Sequence, residues 1–205
     1  MVQINVVIKM KDFIIIKDPE VAKLLADESR RVILHNLRHF EMTPCQLAKI
    51  LNKSVSSVMH HLNLLEKAGL VEQTRSVVKG NLVERYYRAT AKIFIISYTL
   101  SEGLVPGSED IAQWSREICK GAVEGLEAFG FKLSEEKAKE ILGLVERYSH
   151  LEQAAREEVI SQWASPLSVD RQSLKLLLSL LTDLRLYRSR EFLEVLDRIW
   201  EILEG

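Results

Sequence analysis

The segment from residue 43 to residue 89 constrains the fold more than any other part of the chain. Residues 43–46 have the features of a helix start: a capping threonine, a proline at the first helical position and a glutamine that completes a capping box. This helix is short and stops near Asn52, Ser54 caps the next helix, and Gly69 lies where a C-terminal glycine belongs. The spacing predicts two helices joined by a tight turn.

A β-hairpin is predicted directly after the second helix. Two β-rich arms, 71–78 and 82–88, flank residues 79–81, which we interpret as a three-residue turn containing Gly80 and Asn81. A pair of helices followed by a basic hairpin is typical of a winged helix-turn-helix, whose second helix enters the major groove of DNA.

The residues before this segment predict further elements. The alternation of apolar residues over 2–10 indicates a strand, and 13–16 is a second β-like run. Pro19 marks the start of a helix after Asp18, and Asp27 can cap a helix over 28–39. We expect residues 1–9 to be an extension outside the core fold, either an added strand or a disordered arm.

The chain changes character after about residue 92. A Gly- and Pro-containing elbow lies at 102–108, and Ser108 with two acidic residues begins the first helical pattern after it. Three or four long helical patterns are predicted, near 109–129, 134–164, 168–187 and 190–204. The last pattern carries an apolar stripe of Phe192, Val195, Leu196, Ile199, Trp200 and Leu203. Because 174–184 is apolar on more than one face, we expect a subunit interface here, with an intramolecular bundle as the alternative.

Composition limits the class of protein. The chain has 205 residues, 47% hydrophobic and 28% charged, which is typical of a soluble globular protein. Residues 1–100 carry 15 Lys and Arg against 9 Asp and Glu, whereas residues 101–205 carry 13 against 20, so a basic front precedes an acidic back. No apolar run is long enough for a membrane helix and the start lacks signal-peptide features, so we expect a cytoplasmic protein without a membrane partner.

The second helix and the hairpin supply the candidate DNA contacts. Small hydroxyls and an imidazole at the start of the helix can approach base edges, and long cations on the hairpin suit phosphates. The candidate groove contacts are Ser54, Ser56, Ser57 and His60, and the candidate phosphate contacts are Lys53, Arg75, Lys79 and Arg85.

These residues carry a resemblance to a known family. The string over 54–71, with its His-Leu and Ala-Gly-Leu-Val core, resembles the recognition helix of ArsR-type winged-helix regulators, and 27–34 is similar to the family's opening. Asp-Pro-Glu-Val at 18–21 and the wing string at 79–87 resemble an archaeal ArsR-like subgroup. The resemblance implies a winged helix and DNA binding over 13–97.

The metal sites of this family are not implied. Arsenic-sensing members place a Cys-x-Cys pair where this chain has Thr43 and Cys45, and one thiol does not suit a soft metal. Adjacent His60 and His61 point about 100° apart, so one ion cannot bind both from one helix. We predict no metal, no cofactor and no catalytic set.

The fold class that follows is mainly α with a small β-hairpin: a winged helix-turn-helix domain, then a helical C-terminal domain. The predicted division is 1–12 extension, 13–97 DNA-binding domain and 98–205 helical dimerisation and sensing domain. We expect a regulator that binds double-stranded DNA sequence-specifically, a repressor and a homodimer through the C-terminal helices. The alternatives are a protein–protein interaction module, or a regulator whose helical half binds a small molecule.

Overall fold

The computed structural model describes residues 10–162 and 170–204 of the chain. Their fold class is the predicted one, mainly helical with a small antiparallel hairpin. The predicted strand over 2–10 and the predicted extension 1–9 lie almost wholly outside the described residues. Contacts divide the chain into two units, one of residues up to 14 together with 20–95, the other of 15–19 together with residues from 96 onward.

The first half of the chain follows the predicted order and adds one strand at its end. The elements are β1 (Lys11–Ile16), α1 (Pro19–Leu24), α2 (Glu28–Leu37), α3 (Pro44–Leu51), α4 (Val55–Lys67), β2 (Val71–Lys79), β3 (Leu82–Ala89) and β4 (Ala91–Ile96). The strands form two separate two-stranded sheets, β1 with β4 and β2 with β3.

The predicted caps of α2 and α3 are confirmed. The Asp27 carboxylate accepts a hydrogen bond from the Arg30 N–H at 2.9 Å and so begins α2. Thr43 and Gln46 form the reciprocal capping box of α3, with distances of 2.8 and 3.3 Å. Asn52 ends α3 in the left-handed region. The prediction that α2 runs to residue 39 is wrong, because the chain turns tightly after Leu37.

The hairpin turn has two residues, so the predicted three-residue turn is wrong. Lys79 and Leu82 pair as the last residues of β2 and β3, which leaves only Gly80 and Asn81 between the strands. Gly80 has φ +60 at the first turn position, where a type II′ turn needs a positive φ that glycine adopts without steric cost. Thr74 forms a bulge, because the register shifts between Gln73 and Arg75.

The first unit has an apolar core that fixes the position of α4. Four helices and the wing contribute side chains that are almost completely buried, among them Ile33, Leu34, Leu37, Leu47, Val58, Leu62, Leu65, Leu70 and Tyr87. Burial of each such side chain contributes roughly 1.5–3 kcal/mol. Because α4 shares this core with α2, α3 and β2, its outward face is held at a fixed orientation.

The second half is helical, as predicted. Its elements are α5 (Tyr98–Ser101), α6 (Glu109–Gly125) with a 3-10 turn over Leu126–Phe129, α7 (Glu135–Ser161), α8 (Arg171–Leu186) and α9 (Arg190–Glu204). The α7 helix packs against both α8 and α9. The short α5 helix, which lies directly before the predicted elbow, was not predicted, and α7 ends at Ser161, earlier than the predicted residue 164. The α8 helix begins at Arg171 after its Asp170 cap, three residues later than predicted. No helix in the described parts of the chain is long and apolar enough to cross a membrane.

Candidate nucleic-acid interface

The α4 helix has one buried face and one polar face. Val58, Leu62 and Leu65 point into the core with no exposed surface. The residues exposed on the opposite side follow the spacing i, i+4, i+7 and i+11, which places them along a single stripe of the helix. We call this set the polar stripe: Ser56, His60, Asn63 and Lys67.

The start of α4 is organised by three serines. Ser54 caps the helix, because its hydroxyl oxygen accepts a hydrogen bond from the Ser57 N–H at 3.2 Å. The Ser54 and Ser56 hydroxyls lie 3.0 Å apart. Ser57 is half-buried, whereas Ser56 is exposed. The remaining N–H groups of the first turn favour a negatively charged ligand such as phosphate.

Lys53 lies just before this cap and is tied to α2. Its Nζ donates a hydrogen bond to the Ser29 hydroxyl at 2.5 Å. Burial would raise the pKa of Asp27, but the hydrogen bond from the Arg30 N–H and the positive charges of Arg30 and Lys53 outweigh it, so this pKa is lowered. The cap of α2 therefore stays ionised and keeps cations next to the start of α4.

His60 and His61 have opposite environments, although they are neighbours. His60 is exposed on the polar stripe, while His61 is buried among core residues. Burial lowers the pKa of His61; the Asp27 carboxylate opposes this effect, and Arg30 and Lys53 add to it. Among the described residues His61 Nδ1 has no hydrogen-bond partner, which fits a neutral ring. One of the two neighbouring histidines therefore belongs to the packing face of α4 and the other to its polar face.

Two arginines of α2 stabilise the turn before that helix. Arg30 Nε donates to the Leu24 carbonyl at 2.5 Å, and Arg31 Nη1 donates to the carbonyls of Leu25 and Ala26 at 2.9 and 2.7 Å. Carbonyls at a helix C-terminus lack intrahelical partners, and a cation there also complements the helix dipole. This Arg-Arg pair therefore joins α1 to α2.

The wing places its two predicted arginines on opposite faces. Arg75 pairs with Tyr86 across the strands and Arg85 pairs with Ser76 one position further, so their side chains alternate. Arg75 lies 3.7 Å above the Tyr86 ring and its Nε is 3.0 Å from the Glu41 carboxylate. Arg85 is exposed and forms no ion pair with another residue in the described part of the chain.

Arg85 lies on the same face of the hairpin as two valines near the tip of the wing. Val78 and Val83 form the next cross-strand pair on this face, and both are exposed. Lys79 is the last residue of β2. Tyr87 is buried and Tyr86 lies beneath Arg75, so both tyrosines pack within the wing.

Asn63 is the residue that sequence reasoning missed. It is exposed on the polar stripe, seven positions after Ser56, and its amide can accept and donate to an adenine edge at the same time. The helical spacing from Ser56 and His60 was sufficient to find it. The candidate groove contacts predicted from the sequence end at His60, about one helical turn before Asn63.

The two cysteines have different environments. Cys45 is exposed on α3, while Cys119 is buried in α6, where burial and the nearby Glu146 raise the pKa of its thiol. The ring of His35, on α2, lies 5.4 Å from the ring of His39, which follows the end of that helix. Within the described residues no group of three or more His, Cys, Asp or Glu side chains is placed to hold a metal ion.

This arrangement of α2, α3, α4 and the β2–β3 hairpin is that of a winged helix-turn-helix protein. The profile described as "Bacterial regulatory protein, arsR family" matches residues 27–73, which run from the α2 cap into the wing.

Relatives agree with this assignment. The chain is 42% identical over 66 residues to the cadmium resistance transcriptional regulatory protein CadC of Listeria innocua, and equally to that of Lactococcus lactis, covering 32% of this chain and 51% of each relative. It is 37% identical over 67 residues to the transcriptional repressor SdpR of Bacillus subtilis, covering 33% of this chain and 69% of that repressor. The chain belongs to the ArsR family. It spans about half the length of the CadC proteins it matches.

Proposed function

We propose that this protein is a sequence-specific, double-stranded DNA-binding transcriptional regulator, acting in the cytoplasm as a dimeric repressor. In this proposal residues 13–97 form the DNA-binding domain, residues 98–205 form the dimerisation domain, and the sequence belongs with archaeal ArsR-like regulators. The observation that carries the proposal is the polar stripe of α4, which a buried core holds outward beside a capped, N–H-rich helix start.

The polar stripe is assigned to the major groove. Ser56 and His60 present a hydroxyl and an imidazole to base edges, and Asn63 extends the same stripe by one turn. Ser54 and Ser57 lie at the start of the helix, where the cap and the free N–H groups suit the adjacent phosphate.

The cations around the helix are assigned to phosphates. Lys53 lies beside the start of α4, and Lys79 and Arg85 lie in the outer half of the wing. Arg75 can contribute to the same field, because half of its side chain stays exposed while it binds Glu41. Contacts of this kind set the register and the salt dependence of binding, and they carry little sequence information.

The cadmium in the name of the CadC relatives is not transferred to this chain. The positions that match a Cys-x-Cys pair hold Thr43 and Cys45, and a soft metal ion needs two or three thiolates. The name of SdpR describes a transcriptional repressor and mentions no metal. Repression is the activity that we propose here.

The proposal is tested by selecting genomic DNA fragments with the purified full chain and measuring their affinity against random duplexes at two salt concentrations. We expect selected fragments to bind roughly a thousandfold or more tightly than random DNA, with both affinities falling as salt rises. Recovery of no preferred fragment, with affinity independent of salt, would contradict the proposal and favour a winged helix used for protein contact.

A second candidate, ligand-responsive regulation, is favoured by a cavity of about 690 Å³ in the helical unit. Leu151, Ala155 and Leu186 form apolar lining, while Glu157, Arg185 and Arg188 supply charge. Such a mixed lining suits a small amphipathic molecule. A native mass spectrum of the purified protein tests this, because a bound regulator ligand would appear as a fixed additional mass that is lost on denaturation.

A further inference from the structure

The chain passes between the two units at three points, after residues 14, 19 and 95. Residues 15–19 lead from the end of β1 to the start of α1, and residues 96–98 lead from the end of β4 to the start of α5. We call these two stretches the crossing segments. They are hydrogen-bonded to each other, because the Ser97 N–H donates to the Ile16 carbonyl at 2.9 Å.

One carboxylate of α7 binds both crossing segments. Glu157 Oε2 accepts a hydrogen bond from the Ser97 hydroxyl at 2.9 Å and another from the Tyr98 N–H at 3.3 Å. Glu157 Oε1 lies 3.7 Å from Lys17 Nζ. The Glu157 side chain is 13% exposed and Ser97 is 1% exposed, so little water competes for these contacts.

Glu157 also completes the start of α5. Ser97 is the N-cap residue of that helix, but its side chain makes no capping hydrogen bond. The first N–H groups of a helix lack partners within the helix, and a negatively charged acceptor suits them. The Glu157 carboxylate supplies that acceptor from a different helix, about sixty residues later in the chain. The conformation of residues 96–98 therefore depends on α7.

The same carboxylate lines the cavity of about 690 Å³ in the helical unit, together with Tyr98. Ala154 lines this cavity about one helical turn before Glu157. Glu158 lines it as well, but its carboxylate accepts a hydrogen bond from Arg185 of α8 at 2.9 Å and binds neither crossing segment. An occupant of this cavity would contact the residue that binds both crossing segments.

We propose that Glu157 is a positioning residue for DNA binding, which couples the cavity to the first unit through the crossing segments. Segments that are held in one conformation reduce the conformational entropy that the protein loses when α4 binds DNA. An occupant that draws the carboxylate away from Ser97 and Tyr98 releases these segments and weakens DNA binding. The proposal rests on the proposed function, and it names the residue through which the second candidate, regulation by a ligand, acts.

The positioning role is tested by substitutions in the full chain, without any ligand. Glu157→Ala removes the acceptor of both crossing segments and should weaken binding to a selected DNA fragment about tenfold. The slope of log affinity against log salt should stay unchanged, because no phosphate contact is lost. Glu157→Gln keeps an acceptor oxygen and should bind within about threefold of the wild-type protein. The matched control is Glu158→Ala, which removes the neighbouring carboxylate of the same cavity and should bind DNA like the wild-type protein.

The part of the cavity is tested by a side chain that fills it. Ala154→Phe places a ring beside Glu157 in place of an occupant, and it should also weaken DNA binding about tenfold. The control is Val159→Phe, because Val159 lines another cavity of about 660 Å³, in which Glu158, and not Glu157, belongs to the described lining. The double variant of Ala154→Phe and Glu157→Ala should bind no more weakly than the weaker of the two single variants, because both changes act through one contact.

All variants are compared at a temperature at which circular dichroism shows the helical content of the wild-type protein. If Glu157→Ala loses helical content, Ala154→Phe tests the same coupling with the carboxylate in place. A lower melting temperature for Glu157→Ala with wild-type DNA affinity would show a structural role only and overturn the inference.

Three further outcomes overturn it: Glu157→Ala and Glu158→Ala weaken binding equally, the salt slope changes with Glu157→Ala, or the losses of Ala154→Phe and Glu157→Ala add in the double variant. Wild-type protein that shows no preference for selected fragments refutes the proposed function. Wild-type protein that shows this preference, and keeps it at full strength after Glu157→Ala, refutes only the role of Glu157.

Discussion

The α4 and α8 helices have similar inner faces and opposite outer faces. Each buries a row of mainly leucine-type side chains at helical spacing, Val58, Leu62 and Leu65 in α4, and Leu174, Leu178 and Leu186 in α8. The outer face of α4 carries a hydroxyl, an imidazole, an amide and an ammonium group. The outer face of α8 carries three leucines and a tyrosine.

The comparison shows that apolar residues at helical spacing pack each helix into its own unit, while the residues on its outer face determine which kind of surface it can bind. In the proposed complex with DNA, the polar groups on α4 exchange the water that hydrates them in the free protein for base edges in the groove. Leucines on α8 gain roughly 25 cal/mol for each Å² removed from water. The two helices therefore suit a hydrated polyanion and an apolar protein surface, respectively.

The largest expected effect is on the free energy of unfolding, and it distinguishes the inner face of α4 from the outer face of α8. Leu62→Ala removes methyl groups from a completely buried site and should lower the free energy of unfolding by about 2–5 kcal/mol. Leu180→Ala should change it by less than about 0.5 kcal/mol in dilute, monomeric protein. Urea unfolding measures both, and equal losses for the two variants would contradict the comparison.

The next effect tests the polar stripe. His60→Ala should reduce discrimination between selected and random DNA by about 1–3 kcal/mol, because a base contact is lost. Asn63→Ala should do the same. The control is Glu66→Ala, which changes an exposed residue of α4 outside the stripe and should leave discrimination unchanged. A change in salt dependence alone for His60→Ala would assign this residue to phosphate instead.

A smaller effect separates the two faces of the wing. Arg85→Ala should lower the slope of log affinity against log salt by about 1, with little change in sequence preference or in thermal stability. Arg75→Ala should also lower the slope, and in addition should destabilise the fold by roughly 0.5–1 kcal/mol, because it loses the Glu41 ion pair and the contact with Tyr86. Equal stability of the two variants would show that the contacts of Arg75 with Glu41 and Tyr86 contribute nothing to the stability of the fold.

The smallest effect concerns pH and the neighbouring histidines of α4. Burial lowers the pKa of His61, so the folded state binds its proton less readily than the unfolded state. The stability that this residue contributes is complete above the ordinary pKa of about 6.5 and is lost as the pH falls towards the lowered value. The melting temperature should therefore fall between pH 7.5 and pH 5.5.

Two variants isolate the source of that pH dependence. His61→Leu should reduce the fall in melting temperature, because the buried site no longer takes up a proton. His60→Gln changes the exposed neighbour and should keep the fall as it is in the wild-type protein. If His60→Gln removes the fall and His61→Leu does not, the roles of the two residues are reversed.

The sequence alone determined the features that depend on neighbours in the chain. The caps at Asp27, Thr43 and Ser54 were predictable because a capping side chain binds an N–H only two or three residues away. The glycine of the hairpin was predictable for the same reason, since a tight turn needs a positive φ locally. The periodicity of α4 likewise separated its inner and outer sides. In α9 the apolar stripe predicted from the sequence is only partly buried, because Leu196 and Trp200 are exposed while Ile202, outside that stripe, is buried.

The tertiary structure decided what depends on residues far apart in the chain. The β4 strand was not predicted, because its partner β1 lies about eighty residues earlier and no local signal records that pairing. His60 and His61 look alike in the sequence, and only the packing of α4 on the core buried one and exposed the other. Arg75 and Arg85 look equally basic, and only the hairpin register, with its bulge at Thr74, placed them on opposite faces. Long-range packing selects among side chains that local chemistry leaves equivalent, because burial and charge are properties of the three-dimensional neighbourhood.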